Sequence, residues 1–165
     1  MIYLHMTKGM KILTIEDPKE EKILREKSTS VQEKELKNKE FQQFLDDLLQ
    51  TAIESEEPAG GLASPQVGIL KRVFYILNYD TDKWELFINP IVEPVGFKKK
   101  AIAEACLSIP NREGKVERNY RVKVKYIDRY GNRKTKKYED LNAISIQHEN
   151  DHLEGILFTD KILEE

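Results

Sequence analysis

Apolar residues recur at helical spacing between Glu33 and Ser55. Leu36, Phe41, Phe44, Leu45, Leu48, Leu49, Ala52 and Ile53 fall on one stripe among polar neighbours. The pattern predicts one long helix, stopped by "PAGG" from Pro58 to Gly61. Upstream, "MKILTI" (Met10 to Ile15) reads as a short strand, and "DPKEEKILREKSTSV" as charged chain turning across the surface. Beyond residue 70 the period changes. "RVFYILN" (Arg72 to Asn78) and "WELFIN" (Trp84 to Asn89) flank "YDTD" and predict a hairpin. "KKAIAEACLSI" (Lys99 to Ile109) is mixed and fits neither period. "YRVKVKYID" alternates Val122, Val124 and Tyr126 with Arg121, Lys123 and Lys125, the pattern of a strand with one wet face. "RYGN" then turns the chain into "RKTKKYED". The helical period returns in "DLNAISIQHENDHLEG", with Asp140 or Asn142 expected as its cap and Gly155 just past its end. Helix, strands, then helix predicts an α+β fold with an antiparallel sheet.

Composition narrows the classes. The 165 residues suit one domain, 1–165, and 39% hydrophobic content is enough for one core. A net charge of -2 argues for neither a nucleic-acid partner nor an acidic lipid surface. No apolar run approaches the ~20 residues of a membrane span. The N-terminal "MIYLHMTKGMKIL" lacks an apolar core followed by a small-residue cleavage site, so no secretion signal is expected. Cys106 is the only cysteine and has no internal disulfide partner, which fits a reducing cytosol.

Candidate chemistry concentrates near the end of the chain. Two of the three histidines, His148 and His152, sit four apart in "QHENDHLEGILF". On a helix they project from one face and aim two imidazoles at one point. Glu149 lies about 100° round the axis from His148 and flanks that point. H-E-x-x-H is a pattern that binds a zinc-like ion and supplies a carboxylate base. Ordinary charged surface helices also carry two histidines by chance, so a third ligand matters more. In the metzincin pattern a histidine follows the glycine by three residues, and here Phe158 stands there instead of histidine. Glu154, Asp160, Glu164 and Glu165 are too close to the helix end to reach back easily. Cys106, in "EACLSIP", is the upstream candidate, although a free cysteine is more often a small buried apolar residue. A thiolate with two imidazoles leaves one open position on a tetrahedral ion, as catalytic sites require.

A third stretch, "AGGLASPQ" (Ala59 to Gln66), joins "EACLS" and "QHENDHLEG". Together the three resemble the peptide deformylases, in which G-x-G-L-A-x-x-Q, E-G-C-L-S and Q-H-E-x-D-H-L-x-G follow in that order. "LREKSTSV", "FINPIVEP" and "VERNYRVKVKYIDRYGN" extend the resemblance over nearly the whole chain. It implies antiparallel sheets packed around a central C-terminal helix carrying HExxH, with one long N-terminal helix. It implies Cys106, His148 and His152 as metal ligands and Glu149 as the catalytic glutamate. Gln66 and the Leu107 N–H would bind the reacting carbonyl oxygen. Gly60, Gly61 and Leu62 would pair with the substrate backbone as an added strand beside Ala105. Leu141, Ile144, Ser145 and His148 would border a methionine pocket.

The activity so implied is hydrolysis of the formyl group from the N-terminal formyl-methionine of newly made polypeptides, in the cytoplasm and near the ribosome. Fe²⁺ is the implied ion, with Zn²⁺, Ni²⁺ or Co²⁺ able to substitute. The chain departs from the family pattern at Ala59, Ser64 and Ala105. The first and last stand for glycines, and the Ala105 methyl is expected to narrow the groove. Two rival readings remain: an unrelated HExxH metallopeptidase, which needs a downstream carboxylate ligand, and a non-catalytic Cys-His-His module, which needs a closed fourth ligand.

Overall fold

The computed structural model describes residues 9–55 and 60–164. The expected helix stop at Pro58, the departure at Ala59 and most of the stretch read for a secretion signal lie outside them. Helix α1 (Pro18–Leu24) comes first, then α2 (Glu33–Leu36), α3 (Lys39–Glu54), β1 (Gly61–Ala63) and a 3₁₀ turn, Ser64–Val67. Strands β2 (Val73–Asn78), β3 (Lys83–Pro94), β4 (Lys99–Cys106), β5 (Ile109–Asn119), β6 (Arg121–Ile127) and β7 (Arg133–Glu139) follow, and helix α4 (Asp140–Leu153) comes next. All strand pairs are antiparallel. One sheet has five strands in the order β1-β2-β3-β6-β7, and β4 pairs with β5 in a second. The fold class is α+β, as the periodicity predicted.

Several elements differ from the sequence expectations. The charged segment after Asp17 forms α1, because Asp17 accepts from the Lys19 N–H at 2.8 Å and Pro18 opens the first turn. The single long helix is two. Asn38 caps α3 by accepting from the Glu40 N–H at 2.8 Å, which ends α2 at Leu36. The stripe still works: Leu45, Leu48 and Ala52 are buried, while Ile53 at its end is exposed. "MKILTI" is not a strand. Its Leu13 N–H donates to the Gln66 carbonyl at 2.7 Å and its Ile15 N–H to the Ser108 carbonyl at 3.0 Å, with no ladder beyond these. The mixed segment becomes β4 and the start of β5. Its inward positions hide the strand period, because Glu104 is buried while Ala103 and Ala105 are exposed.

Helix α4 lies against the larger sheet. Ala143, Ile146 and Leu153 join Phe74, Ile76, Phe87, Val122, Val124, Tyr126 and Tyr138 in one core. Neither Asp140 nor Asn142 caps it. Asp140 pairs with Lys100, and Asn142 turns toward the β2–β3 turn. Gly155 ends the helix at φ 72°, and its N–H donates to the His152 carbonyl at 3.1 Å. Among the described residues no helix is long and apolar enough to cross a membrane.

A side chain at Gly155 would run into the backbone of Arg25 as well as straining a left-handed residue. The left-handed conformation alone costs roughly 1–2 kcal/mol for an L-residue. Gly155→Ala is therefore expected to lower the melting temperature by about 5 °C or more, measured by calorimetry against wild type.

Candidate active site

The two histidines of α4 face one end of β4. Their ring centroids are 5.2 Å apart, and His152 Nε2 lies 3.4 Å from Cys106 Sγ. Ligand atoms of Cys106, His148 and His152 all fall within 4.8 Å of one another. The β4–β5 register shifts between Ala105 and Cys106, which takes the cysteine out of the regular ladder. The 3₁₀ turn after β1 brings in Gln66. Its Oε1 accepts from the Ala63 N–H at 2.9 Å. Its Nε2 donates to Ser108 Oγ at 3.1 Å and stands 3.6 Å from Cys106 Sγ. The amide carbonyl is thus occupied, and the amide N–H₂ faces the thiol.

A cavity of about 270 Å³ opens at this cluster. Gly60, Gly61, Gln66, Ala105, Cys106 and Leu107 line one part, and Ile144, Ser145, His148 and Glu149 of α4 another. Ile102, Ala103, Glu104 and Tyr79 complete the lining; Glu104 opens the "EACLS" motif without having been given a role, and the other three lie outside the motifs. Two expected substrate residues do not line it. Leu62 is fully buried in the core between α3 and the sheet, and Leu141 is 40% exposed at the start of α4. Gly61 is where β1 crosses Glu149: a Cβ there would lie 2.8 Å from Glu149 Oε1 and 2.8 Å from the Tyr75 carbonyl oxygen. A larger recess of about 770 Å³ lies elsewhere, between Trp84, Lys136 and Tyr138, and contains none of the three donors.

Beneath the donors sits a buried charge cluster. Arg118 Nε and Nη2 donate to Glu104 at 2.7 and 2.9 Å, and Nη1 to Asp151 at 2.7 Å. Glu104 Oε1 is 2.8 Å from His148 Nδ1. That pairing places the ring hydrogen on Nδ1 and leaves Nε2 as the donor atom. Burial works against the Glu104 charge, but hydrogen bonds from Arg118 and His148 prevail and lower its pKa to about 2. Burial alone would lower the His148 pKa, yet hydrogen bonding to Cys106 and Glu104 takes it up to about 10. For His152, burial and then the nearby His148 and Arg118 charges hold the pKa well below its ordinary value. One imidazole keeps a proton beside the thiol and the other gives its proton up.

A dication takes the place of such a proton, so the donor set fits a metal. Burial raises the pKa of Glu149 to about 7, and its Oε2 has no hydrogen-bond partner among the described residues. An ion in the cluster would draw that value back down.

A sulfur–nitrogen donor group that could hold a metal, beside a buried carboxylate in a cleft, has the composition of a metal-dependent hydrolase site. The polypeptide deformylase family model matches residues 10–165, and the chain belongs to that family. The peptide deformylase of Fusobacterium nucleatum is 41% identical over 142 residues, 86% of this chain and 79% of that protein. The Met-Ala-Ser-bound crystal structure of a class I type b peptide deformylase from Acinetobacter baumannii matches with a TM-score of 0.84 and 30% identity, covering 95% of this chain and all of that one. The peptide deformylase structure from Thermotoga maritima matches with a TM-score of 0.82 and 29% identity over 94% of this chain and 99% of that one. The activity is therefore deformylation of formylated nascent peptides.

The Glu104–Arg118 pair generates a pH prediction. A lowered carboxylate pKa stabilises the fold fully above the ordinary value of 4.5 and progressively less as pH falls toward about 2. With metal chelated from both proteins, Glu104→Gln should be less stable than wild type by about 3 kcal/mol at neutral pH. Urea unfolding at stepped pH should show that difference shrinking below pH 4.5.

Proposed function

We propose that Cys106, His148 and His152 hold one divalent ion, and that Glu149, Gln66 and the Leu107 N–H carry out deformylation around it. The observation that carries this reading is the convergence of the three donors beside the unpartnered Glu149 oxygen. It also weighs against both rivals. The third donor is a cysteine and not a downstream carboxylate, and no fourth protein ligand joins the group among the described residues. The ion, when bound, acidifies water and polarises the formyl oxygen. Fe²⁺ suits the mixed sulfur and nitrogen set, and Zn²⁺, Ni²⁺ or Co²⁺ can replace it. The helix carrying HExxH serves as the central scaffold of a single catalytic domain, residues 1–165.

Each side chain has a task set by its position. Glu149 takes the proton of the attacking water and passes it to the leaving amine. A new carbon–oxygen bond forms at the formyl carbon, the carbon–nitrogen bond breaks, and formate and a free N-terminal amine leave. Gln66 Nε2 and the Leu107 N–H donate to the negative charge that grows on the formyl oxygen. Gln66 keeps that orientation because Ala63 holds its other end.

The peptide lies along β1 at Gly60, Gly61 and Leu62, which offers a free edge because among the described residues β1 pairs only with β2. Ala105 flanks it from β4. Ile144, Ser145 and His148 border the methionine side chain, with Leu141 at the outer rim. The bound Met-Ala-Ser in the Acinetobacter relative is the peptide that deformylation of formyl-Met-Ala-Ser would leave. The protein acts in the cytoplasm on chains emerging near the ribosome.

Metal analysis and formate release from formyl-Met-Ala-Ser, both done anaerobically, test these roles together. Cys106→Ala should lose the ion. Glu149→Ala should keep it while turnover falls by about 10²–10⁴-fold. Stoichiometric metal in Cys106→Ala, or a loss under about tenfold in Glu149→Ala, would remove those residues from their roles.

A further inference from the structure

The turn between β2 and β3 reaches the mouth of the cleft. Tyr79, its first residue, lines the cavity while remaining 52% exposed. Gly60 has no side chain on that side. A Cβ built at Gly60 would lie 2.6 Å from the Tyr79 hydroxyl oxygen and 3.7 Å from Ser145 Oγ. The phenol therefore occupies the volume that a side chain at position 60 would take.

The turn is also anchored to the helix that carries the metal donors. The Tyr79 N–H donates to Asn142 Oδ1 at 2.9 Å. Asn142 Nδ2 donates to Asn78 Oδ1 at 3.0 Å and to Asp80 Oδ2 at 3.1 Å. Asn142 is buried in the first turn of α4, so the backbone that carries the ring is held to the helix. Ser145 precedes Glu149 by one helical turn, about 6 Å along the axis.

Resting on the reading of this cleft as the substrate site, we propose that Tyr79 is a substrate-binding residue. It walls the pocket for the substrate's N-terminal side chain from the flank that Gly60 leaves open. The contact is apolar, ring face against the methionine chain, and it limits how large that side chain can be.

Steady-state formate release from formyl-Met-Ala-Ser and formyl-Phe-Ala-Ser by the metal-loaded protein tests this. Tyr79→Ala should raise KM for the methionine peptide about tenfold with kcat changed less than about twofold. Its preference for methionine over phenylalanine should narrow, because the widened pocket admits the larger ring. Gly60→Ala should also raise KM, since its methyl meets the hydroxyl, and adding Tyr79→Phe should recover most of that loss.

Metal content and melting temperature, read for every variant, should match wild type. Unchanged KM and preference in Tyr79→Ala would overturn the proposal. So would a Gly60→Ala defect that Tyr79→Phe fails to relieve, or loss of metal or stability in Tyr79→Ala, which would make the ring structural. A metal-loaded wild type that releases no formate would overturn the underlying reading of the cleft, and the role of Tyr79 with it.

Discussion

Arg118 is sunk in the protein with its side chain 3% exposed, and the meeting of Cys106 with the two histidines leans on the way its charge is met. Taking a guanidinium out of water costs several kcal/mol unless its donors are satisfied by well-placed acceptors. Here the acceptors come from two directions. Glu104 lies across the hairpin on β4, and Asp151 lies on α4. The ion cluster therefore fixes the small sheet against the helix. Cys106 follows Glu104 by two residues, and His148 and His152 precede and follow Asp151 on one helix. Holding Arg118 between its carboxylates thus brings the three donors of two separate elements to one point. Glu104 then uses its remaining hydrogen-bonding capacity on His148 and selects which ring nitrogen is left for an ion.

Backbone does the rest of the positioning. The extended segment around Leu13 and Ile15 donates to the carbonyls of Gln66 and Ser108, so one stretch of chain holds both sides of the Gln66–Ser108 contact. Gly61 lets β1 pass against Glu149 where any side chain would collide with the carboxylate. That close approach keeps water from solvating Glu149 freely, and the resulting burial is what raises its pKa. The raised carboxylate pKa and the edge proposed to bind substrate thus meet at the same contact.

Much of this was legible in the residues. Three ordered motifs, through their resemblance to the peptide deformylases, marked Cys106, His148, His152, Glu149 and Gln66, and the structure brings these side chains together. β6 was legible because it has one wet and one dry face, and the β2–β3 hairpin because two apolar runs flank the turn residues "YDTD". The ends of the helices were less so. Asn38 divides the Glu33–Ser55 stripe by a single capping hydrogen bond that leaves the apolar spacing intact. Asp140 and Asn142 have the right chemistry to cap α4 and are drawn off by Lys100 and the β2–β3 turn instead.

By itself the sequence determined the α+β order of elements, which follows from local period, and its three motifs marked the candidate donors and the proposed base through their resemblance to the peptide deformylases. Tertiary structure alone decided that Glu104 and Arg118 point inward. A charge on a strand reads as solvent-facing until its partner, 14 residues away, is seen beside it. It also decided that Tyr79 stands over Gly60, a contact between a turn and an edge strand with no trace in local spacing. Local pattern records what each residue needs, and only the fold records which distant residue meets that need.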